Sequence, residues 1–225
     1  MKRYSFGVSG LMLSIVFLIA CGEERMDESS NLRIQNPLLR VDKFNDEPPE
    51  NFSVSFQTTQ GDFVIKVHKE WAPLGAARFY NLVKHGWYDG VRFHRVLKNF
   101  MVGWGIHDDP YVNAVWKNEL LIDDPVIKSN TKGAVSFAKG GANSRTVQVF
   151  INYKDNSSLD NRGFAPFGEV VEGMDVIGSL YSEYGDGPPR GEGVYQAMAM
   201  AKGAEYFQEE FPNLDRIVRV SLVHD

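Results

Sequence analysis

An arginine set among apolar side chains is the part of this sequence best suited to chemistry. Residues 93–101 and 148–151 alternate apolar and polar types, so each run predicts a β-strand with one face on a core and one on an open surface. This pattern sets Arg95 beside three apolar side chains, Phe100, Met101 and Phe150. A guanidinium fixed beside an apolar floor suits a substrate that offers a carbonyl to hydrogen-bond and a ring to bury.

Several separated motifs follow one another in a specific order. They are Phe-His-Arg at 93–95, Phe-Met at 100–101, Ala138, Gln-Val-Phe-Ile at 148–151 and Gly-Phe-Ala-Pro-Phe-Gly-Glu-Val-Val-Glu-Gly-Met at 163–174. Together they resemble the cyclophilin family of peptidyl-prolyl isomerases, whose prolyl substrates present both a carbonyl and an apolar ring. The resemblance runs from about Phe52 to the C-terminus. Any one motif alone would be a weak signal, but their order makes the match specific.

The resemblance implies a role for each matched residue. Arg95 would hold the substrate carbonyl and donate to the prolyl nitrogen as the peptide bond twists, and Gln148 would hold the peptide backbone. The matched pocket and groove residues are Phe100, Met101, Ala138, Phe150 and Leu159, and Phe164 would add an apolar wall. Rotation about a C–N bond involves no covalent step, so we expect no cofactor.

Four family positions carry different residues here. Gly103 stands where the family has a second glutamine, Lys139 where it has an asparagine, Ser158 where it has a tryptophan, and Phe164 where it has a histidine. Without the glutamine, Arg95 lacks a side chain that could steady it, so turnover is expected to be below the family norm. The family binds cyclosporin through the tryptophan, so we expect weak inhibition by that drug.

Two other classes of protein are alternatives to an enzyme. One is a membrane-tethered binding module or chaperone for proline peptides with little turnover, which Gly103, Lys139 and Phe164 keep open. The other is a structural envelope lipoprotein, which would leave the residues around Arg95 unexplained. Arg95 itself favours the isomerase.

Other chemistries have less support in the sequence. Strand alternation points His94 away from Arg95, so we expect a structural histidine with its hydrogen bonds satisfied. The five histidines are scattered without ligand spacing, and residues 107–109 (His-Asp-Asp) are better explained as a solvated loop, so no metal site is predicted. A net charge of -5 without a basic stripe argues against nucleic acid.

The N-terminus predicts export and lipidation. Residues 1–20 combine an early Lys-Arg pair with an apolar run typical of a signal peptide. Leu-Ile-Ala-Cys at 18–21 resembles a bacterial lipobox, in which Cys21 carries the lipid; an ordinary secretory signal with an incidental cysteine is the alternative. Cys21 is the only cysteine, so no disulfide can form within the chain. We therefore expect a protein of the cell envelope, anchored to a membrane, with its domain facing the periplasm or the exterior.

The rest of the chain divides into a tether and one domain. Residues 21–50 are rich in Glu, Asp, Ser, Asn and Pro and predict a flexible tether, although four apolar residues could dock on the domain: Leu38, Leu39, Val41 and Phe44. Residues 51–225 have the size of a single domain, for which we expect a monomer.

Within the domain the sequence predicts many short strands and two substantial helices, which indicates an all-β fold. The predicted strands lie at 52–59, 62–68, 133–138, 147–151, 167–171 and 217–223, in addition to the runs described above. Helices are predicted at 73–85 and 203–210, with a short one at 174–180, whereas the stretch beyond Gly105 and residues 184–193 are expected to be irregular. The cyclophilin resemblance implies a closed eight-stranded antiparallel barrel capped by two helices, with the substrate groove on its outside.

Overall fold

The computed structural model describes residues 36–223, which contain eight strands and five α-helices. The strands are β1 (Asn51–Thr58), β2 (Gly61–His68), β3 (Arg95–Leu97), β4 (Met101–Trp104), β5 (Ala134–Phe137), β6 (Val149–Asn152), β7 (Pro166–Glu172) and β8 (Ile217–Val223). The helices are α1 (Pro73–Lys84), α2 (Pro110–Trp116), α3 (Met174–Ser179), α4 (Gln196–Lys202) and α5 (Ala204–Glu210). The predicted signal peptide and Cys21 lie outside these residues. No helix among residues 36–223 has the length and hydropathy needed to cross a bilayer.

All eight strands form one antiparallel sheet in the order β3-β4-β6-β5-β7-β2-β1-β8. The prediction of a closed barrel was wrong: β3 and β8 stand at the two ends of this order and do not pair with each other. The chain just before each of them is joined by an isolated bridge between Arg92 and Arg216. Backbone hydrogen bonds cross this seam between residues 90–93 and residues 215–217, just before β3, so the two ends of the sheet meet there without a β3–β8 ladder.

The β1–β2 hairpin shows how the alternating sequence folds. Phe56 and Phe63 point inward and stack with their ring centroids 4.6 Å apart. Thr58 pairs with Gly61, whose φ of 128° is a conformation that suits glycine. A two-residue turn at this point fixes the register, so the apolar residues of both strands face the same core.

Helix α1 packs on this core and is capped by a distant residue. Its first turn follows Ala72, which has no side chain to cap it. The Asp124 carboxylate instead accepts hydrogen bonds from the backbone N–H groups of Leu74 at 3.0 Å and Gly75 at 2.9 Å. Arg145, which is buried, donates to the same carboxylate at 2.9 Å. A charge at the helix N-terminus is thereby paired as well as hydrogen-bonded.

Residues 93–101 are not one strand, which corrects the first prediction. The chain reverses between β3 and β4, with the Phe100 backbone N–H donating to the Leu97 carbonyl at 2.7 Å. Lys98 and Asn99 are polar and lie at the reversal, where turn formation costs no apolar burial. The reversal brings Phe100 back beneath Arg95, with the guanidinium 5.7 Å from the ring centroid.

Two short helices were missed. Helix α2 lies in the stretch beyond Gly105 that was expected to be irregular, and α4 lies in residues 194–202, for which no element was predicted. Asp109 caps α2 by accepting a hydrogen bond from the Tyr111 N–H at 2.8 Å, and Pro110 occupies its first turn. Helices α4 and α5 contribute to a second, smaller core whose buried members are Ile106, Val194, Ala199, Phe207, Phe211 and Leu214. At seven residues each, α2 and α4 are too short for a clear helical period in the sequence.

The start of the described chain is folded against the domain as far as residue 50. Trp116 donates its indole N–H to the Leu38 carbonyl at 2.7 Å, and Asn81 exchanges two hydrogen bonds with the backbone of Asp46. All four apolar residues considered above contact the main core: Leu38, Leu39, Val41 and Phe44. The tether predicted for 21–50 therefore does not include residues 36–50.

Candidate active site

The residues predicted to act on substrate line a single cleft of about 360 Å³ on the outer face of the sheet. Those brought together there are Arg95, Phe100, Met101, Ala138, Gln148, Phe150, Leu159 and Phe164. The altered family positions Gly103 and Lys139 also line the cleft, whereas Ser158 is not among its lining residues.

The floor of the cleft is apolar. Met101, Phe150 and Leu159 form a buried cluster, and three partly buried residues pack against it: Phe100, Ala138 and Phe164. Phe150 and Phe164 meet edge to face with ring centroids 5.8 Å apart. This floor is separate from the main core of the sheet, so its apolar side chains face the cleft and are available to a ligand.

A buried set of polar side chains supports the floor from behind. Asn156 donates to the Phe100 carbonyl at 2.8 Å and to the Asn152 side chain at 2.8 Å. Asn152 in turn donates to the Ala134 carbonyl on β5 at 2.9 Å. Because buried amides need partners, these bonds fix the hairpin that carries Phe100 relative to β5 and β6.

The far wall is held by Asp160 and Asn130. Asn130 donates from its backbone and its amide to the Asp160 carboxylate, at 2.9 and 2.7 Å, and the same amide reaches the Phe164 carbonyl at 2.8 Å. Asp160 belongs to a 3₁₀ turn at Ser157–Arg162 that ends at Gly163, whose φ is 75°. The turn presents Leu159 and Phe164 to the cleft.

Arg95 is held by an ion pair that was not predicted from the sequence. Its Nε donates to Asp186 Oδ1 at 2.7 Å and its Nη2 to Asp186 Oδ2 at 2.9 Å. Its Nη1 lies 3.7 Å from the sulfur of Met101. The hydrogen bonds from Arg95 lower the pKa of the Asp186 carboxyl, with Arg190 contributing, so the pair stays ionised at neutral pH.

Gln148 and Ala138 form the edge of the groove. The Ala138 N–H donates to the Gln148 carbonyl at 2.9 Å, which fixes the end of β5 against the start of β6. Gly105 lies against this point with φ of 122°, and a Cβ there would fall 2.7 Å from the Gln148 Cα. Within residues 36–223 the Gln148 amide makes no side-chain hydrogen bond and is open to a peptide.

His94 is buried behind Arg95. Burial and, secondarily, the Arg95 charge lower the pKa of His94 to about 3, so the imidazole is neutral at physiological pH. Its Nδ1 has no hydrogen-bond partner among the described residues, which corrects the expectation that its hydrogen bonds are satisfied. A neutral, buried imidazole is consistent with a structural role for His94 and not with a role as a general acid.

Lys139 and Arg162 flank Phe164. The Lys139 ammonium lies 5.5 Å from the ring centroid and is paired with Asp123 at 2.8 Å, while the Arg162 guanidinium lies 5.4 Å from the same ring. Phe164, the residue expected to form an apolar wall, thus has two cations close to its ring.

The sequence missed one side of the cleft altogether. Asp186 and Arg190 come from the loop between α3 and α4 that was expected to be merely exposed, and Gln196 is the first residue of α4. Arg190 and Gln196 line the cleft, and Asp186 meets Arg95 beside it. An aspartate between glycines is typical of a solvated turn, so no pattern pointed to a partner on β3. Among residues 36–223 no cluster of three or more His, Cys, Asp or Glu side chains could hold a metal ion.

Comparisons with known proteins agree with this geometry. A family model described as cyclophilin type peptidyl-prolyl cis-trans isomerase/CLD matches residues 53–200. A peptidyl-prolyl cis-trans isomerase of Acinetobacter baylyi is 32% identical over 135 residues, which cover 58% of this chain and 72% of the relative. Peptidyl-prolyl cis-trans isomerase B of Escherichia coli is 33% identical over 135 residues, which cover 56% of this chain and 82% of the relative.

A solved structure extends the agreement to the fold. The crystal structure of a cyclophilin type peptidyl-prolyl cis-trans isomerase of Cryptosporidium parvum superposes with a TM-score of 0.55 at 19% identity, covering 78% of this chain and 99% of that one. At this identity the likeness concerns the fold alone. The family match over most of the domain carries the assignment, and the chain belongs to the cyclophilin-type peptidyl-prolyl cis-trans isomerases.

Proposed function

We propose that this isomerase accelerates rotation about Xaa-Pro bonds in extracytoplasmic polypeptides and assists their folding while a lipid on Cys21 holds it at a bacterial membrane. One observation carries the catalytic part: the Arg95 guanidinium is fixed at the rim of an apolar floor, 5.7 Å from the Phe100 ring centroid. A proline ring on that floor would bring its own peptide bond to the arginine.

The reaction needs only a lower rotational barrier. The planar C–N bond resists twisting by about 20 kcal/mol. In the twisted state the prolyl nitrogen regains its lone pair and can accept a hydrogen bond, which it cannot do in the planar ground state. An arginine that donates there binds the transition state better than the substrate, and a gain of about 6 kcal/mol would speed the step by about four powers of ten.

The surroundings favour a chain as substrate. The cleft lies on the outer face of the sheet, and Gln148 at its edge offers an amide to a passing backbone. Groups that hold a backbone and bury one ring recognise a flexible segment without selecting most of its side chains. The proposed substrates are therefore unfolded or flexible proline-containing chains, bound by a monomer without a cofactor.

The catalytic proposal is tested by the cis-to-trans rate of a short prolyl peptide with the full chain in mild detergent. Arg95→Ala should lose most of the acceleration while its circular dichroism stays that of the wild type. Arg219→Ala is a matched control, because Arg219 is an exposed strand arginine on β8 outside the cleft. A native-like Arg95→Ala variant with undiminished rate would refute the role of Arg95.

Absence of acceleration by the wild type, together with binding of proline peptides, would identify a binding module in place of an enzyme.

The proposed anchor rests on the lipobox-like segment that ends at Cys21. Cells that express the full chain should incorporate radiolabelled palmitate into it, and Cys21→Ala should abolish the label. Equal labelling of both chains, or no label in the wild type, would rule out lipidation at this cysteine.

A further inference from the structure

We propose that Asp186 is a positioning residue for catalysis, whose carboxylate holds the Arg95 guanidinium in the orientation that acts on the twisting prolyl bond. This inference rests on the proposed function and identifies which part of the chain makes Arg95 competent. It also places the loop between α3 and α4 in the active site.

The need for a positioning group follows from the sheet. Arg95 pairs across β3 and β4 with Gly103, which offers no side chain to hold a guanidinium. A free arginine side chain samples several rotamers, so a further contact is needed to hold it in one of them. Asp186, 91 residues further along the chain, supplies the missing contact from the other side of the cleft.

The ion pair leaves the reactive edge of Arg95 open. A guanidinium has five N–H groups, and Asp186 uses one on Nε and one on Nη2. The remaining three lie on Nη1 and on the far side of Nη2, and Nη1 is the atom near the Met101 sulfur. Asp186 therefore holds one edge, and of the three N–H groups on the opposite side only one on Nη1 meets a described partner, the Met101 sulfur. Two N–H groups are left for a carbonyl and a prolyl nitrogen, so the contact orients Arg95 without blocking it.

The carboxylate is itself held in place. The Gly187 N–H donates to Asp186 Oδ1 at 3.0 Å, and the Gly193 N–H donates to the Asp186 carbonyl at 2.9 Å. Two residues earlier, Tyr184 packs edge to face on Phe211 of the smaller core, with ring centroids 5.0 Å apart. The loop is thus tied to a core at one end and to Arg95 at the other.

The pair is also sheltered. The side chains of Arg95 and Asp186 are 16% and 18% exposed, whereas Arg190, which meets Asp186 at 3.1 Å, is 73% exposed. A bidentate pair with little exposure keeps its geometry far better than a surface pair. Arg95 and Asp186 therefore form the fixed unit, and Arg190 is an outer partner.

The test compares Asp186→Asn and Asp186→Ala with the wild-type full chain in mild detergent. The kcat and KM for a prolyl peptide are measured separately, and the Arg95 Nε–H is followed by NMR, identified by its loss in Arg95→Ala. Glu183→Gln is the matched control, because it removes a carboxylate from an exposed position of the same loop.

We expect kcat to fall about tenfold in both Asp186 variants with little change in KM, because the group acts through the orientation of Arg95 in the transition state. The Arg95 Nε–H signal should broaden in both variants, and Glu183→Gln should match the wild type in rate and spectrum. Two variants are used so that misfolding of one does not decide the result.

Three results would overturn the inference: a kcat within twofold of the wild type in a folded Asp186 variant, a lower kcat with an unchanged Nε–H signal, or a higher kcat, which would make Asp186 an inhibitory contact. A wild-type chain without any acceleration would instead refute the proposed function, and this inference with it.

Discussion

The two sides of the cleft are held in place by different kinds of contact. On the strand side, apolar side chains such as Phe150 and Met101 are buried against one another and supported from behind by buried amides. On the loop side, Asp186 from the segment between α3 and α4 meets Arg95 through an ion pair. The proposed ring-binding surface is therefore carried mainly by the sheet, whereas the proposed orientation of Arg95 depends on a loop.

Because the two sides are held differently, substitutions on each side should have different effects on binding and on turnover. Removing a strand-side ring takes away both packing and the surface that a proline would touch, so stability and affinity should fall together. Removing the loop-side carboxylate leaves the floor intact and should affect mainly the turnover number. Three predictions test this division, beginning with the largest effect.

Phe150→Ala should destabilise the fold by about 3 kcal/mol and lower kcat/KM by about tenfold or more, because a buried ring and its contact with substrate are both lost. Denaturant unfolding and the prolyl-peptide assay measure the two effects. Phe52→Ala is a matched control: this phenylalanine is buried in the main core, away from the cleft, and should lower stability while the kcat/KM of the folded fraction is kept. Equal losses of kcat/KM in both variants would contradict a distinct floor.

As the pH falls, the free energy of unfolding should decrease first through His94, next to Arg95 on the strand side, and only at lower pH through Asp186 on the loop side. The folded-state pKa of His94 is lowered to about 3, so the unfolded chain binds the extra proton as pH falls below about 6.5. The wild type should therefore lose a few kcal/mol of unfolding free energy between pH 6.5 and 4 relative to His94→Gln. The lowered pKa of Asp186 also makes the free energy of unfolding fall with pH, but at lower pH. The Arg95–Asp186 ion pair persists between pH 6.5 and 4 and is lost only as pH falls through the lowered pKa of Asp186.

Unfolding by denaturant at pH 7, 5 and 4 measures the His94 effect, and subtracting the curve for His94→Gln cancels the other titrating groups. Parallel pH dependence in the two chains would show that His94 is not the buried neutral group inferred from its surroundings.

Arg190→Ala should have the smallest effect, lowering kcat/KM by about twofold. Its ion pair with Asp186 is largely exposed, and exposed pairs contribute about 0–1 kcal/mol. Steady-state kinetics at low and at 0.5 M salt provide the measurement, since screening should erase most of the difference. A loss as large as that of Asp186→Asn would move Arg190 from an outer partner into the unit that fixes Arg95.

Parts of the fold were predictable where one local rule sufficed. The β1–β2 hairpin followed from two alternating runs around Gly61, and α1 from its apolar spacing and Pro73. The reversal inside residues 93–101 was missed because apolar residues on both sides of Lys98 and Asn99 read as one continuous strand. Helices α2 and α4 were missed because seven residues carry too little periodicity.

The site residues also divide into those that a local pattern predicted and those that it did not. Arg95, Met101 and Phe150 stand in motifs whose order along the chain is specific, and they meet in one cleft. Asp186 stands in no such motif, and a glycine-flanked aspartate is ordinary in any exposed loop. The sequence showed that Gly103 has no side chain to hold Arg95, but it did not show that Asp186 makes this contact instead.

The sequence by itself indicated the arginine proposed as catalytic, the apolar residues of the floor and most of the strands, because strand alternation and the motifs can be read from the sequence without knowing the path of the chain. Only the tertiary structure decided that the sheet stays open between β3 and β8, that residues 36–50 pack on the domain, and that Asp186 meets Arg95. Each of these depends on contacts between distant parts of the chain, where a polar residue's partner is set by the path of the backbone and not by its neighbours in sequence.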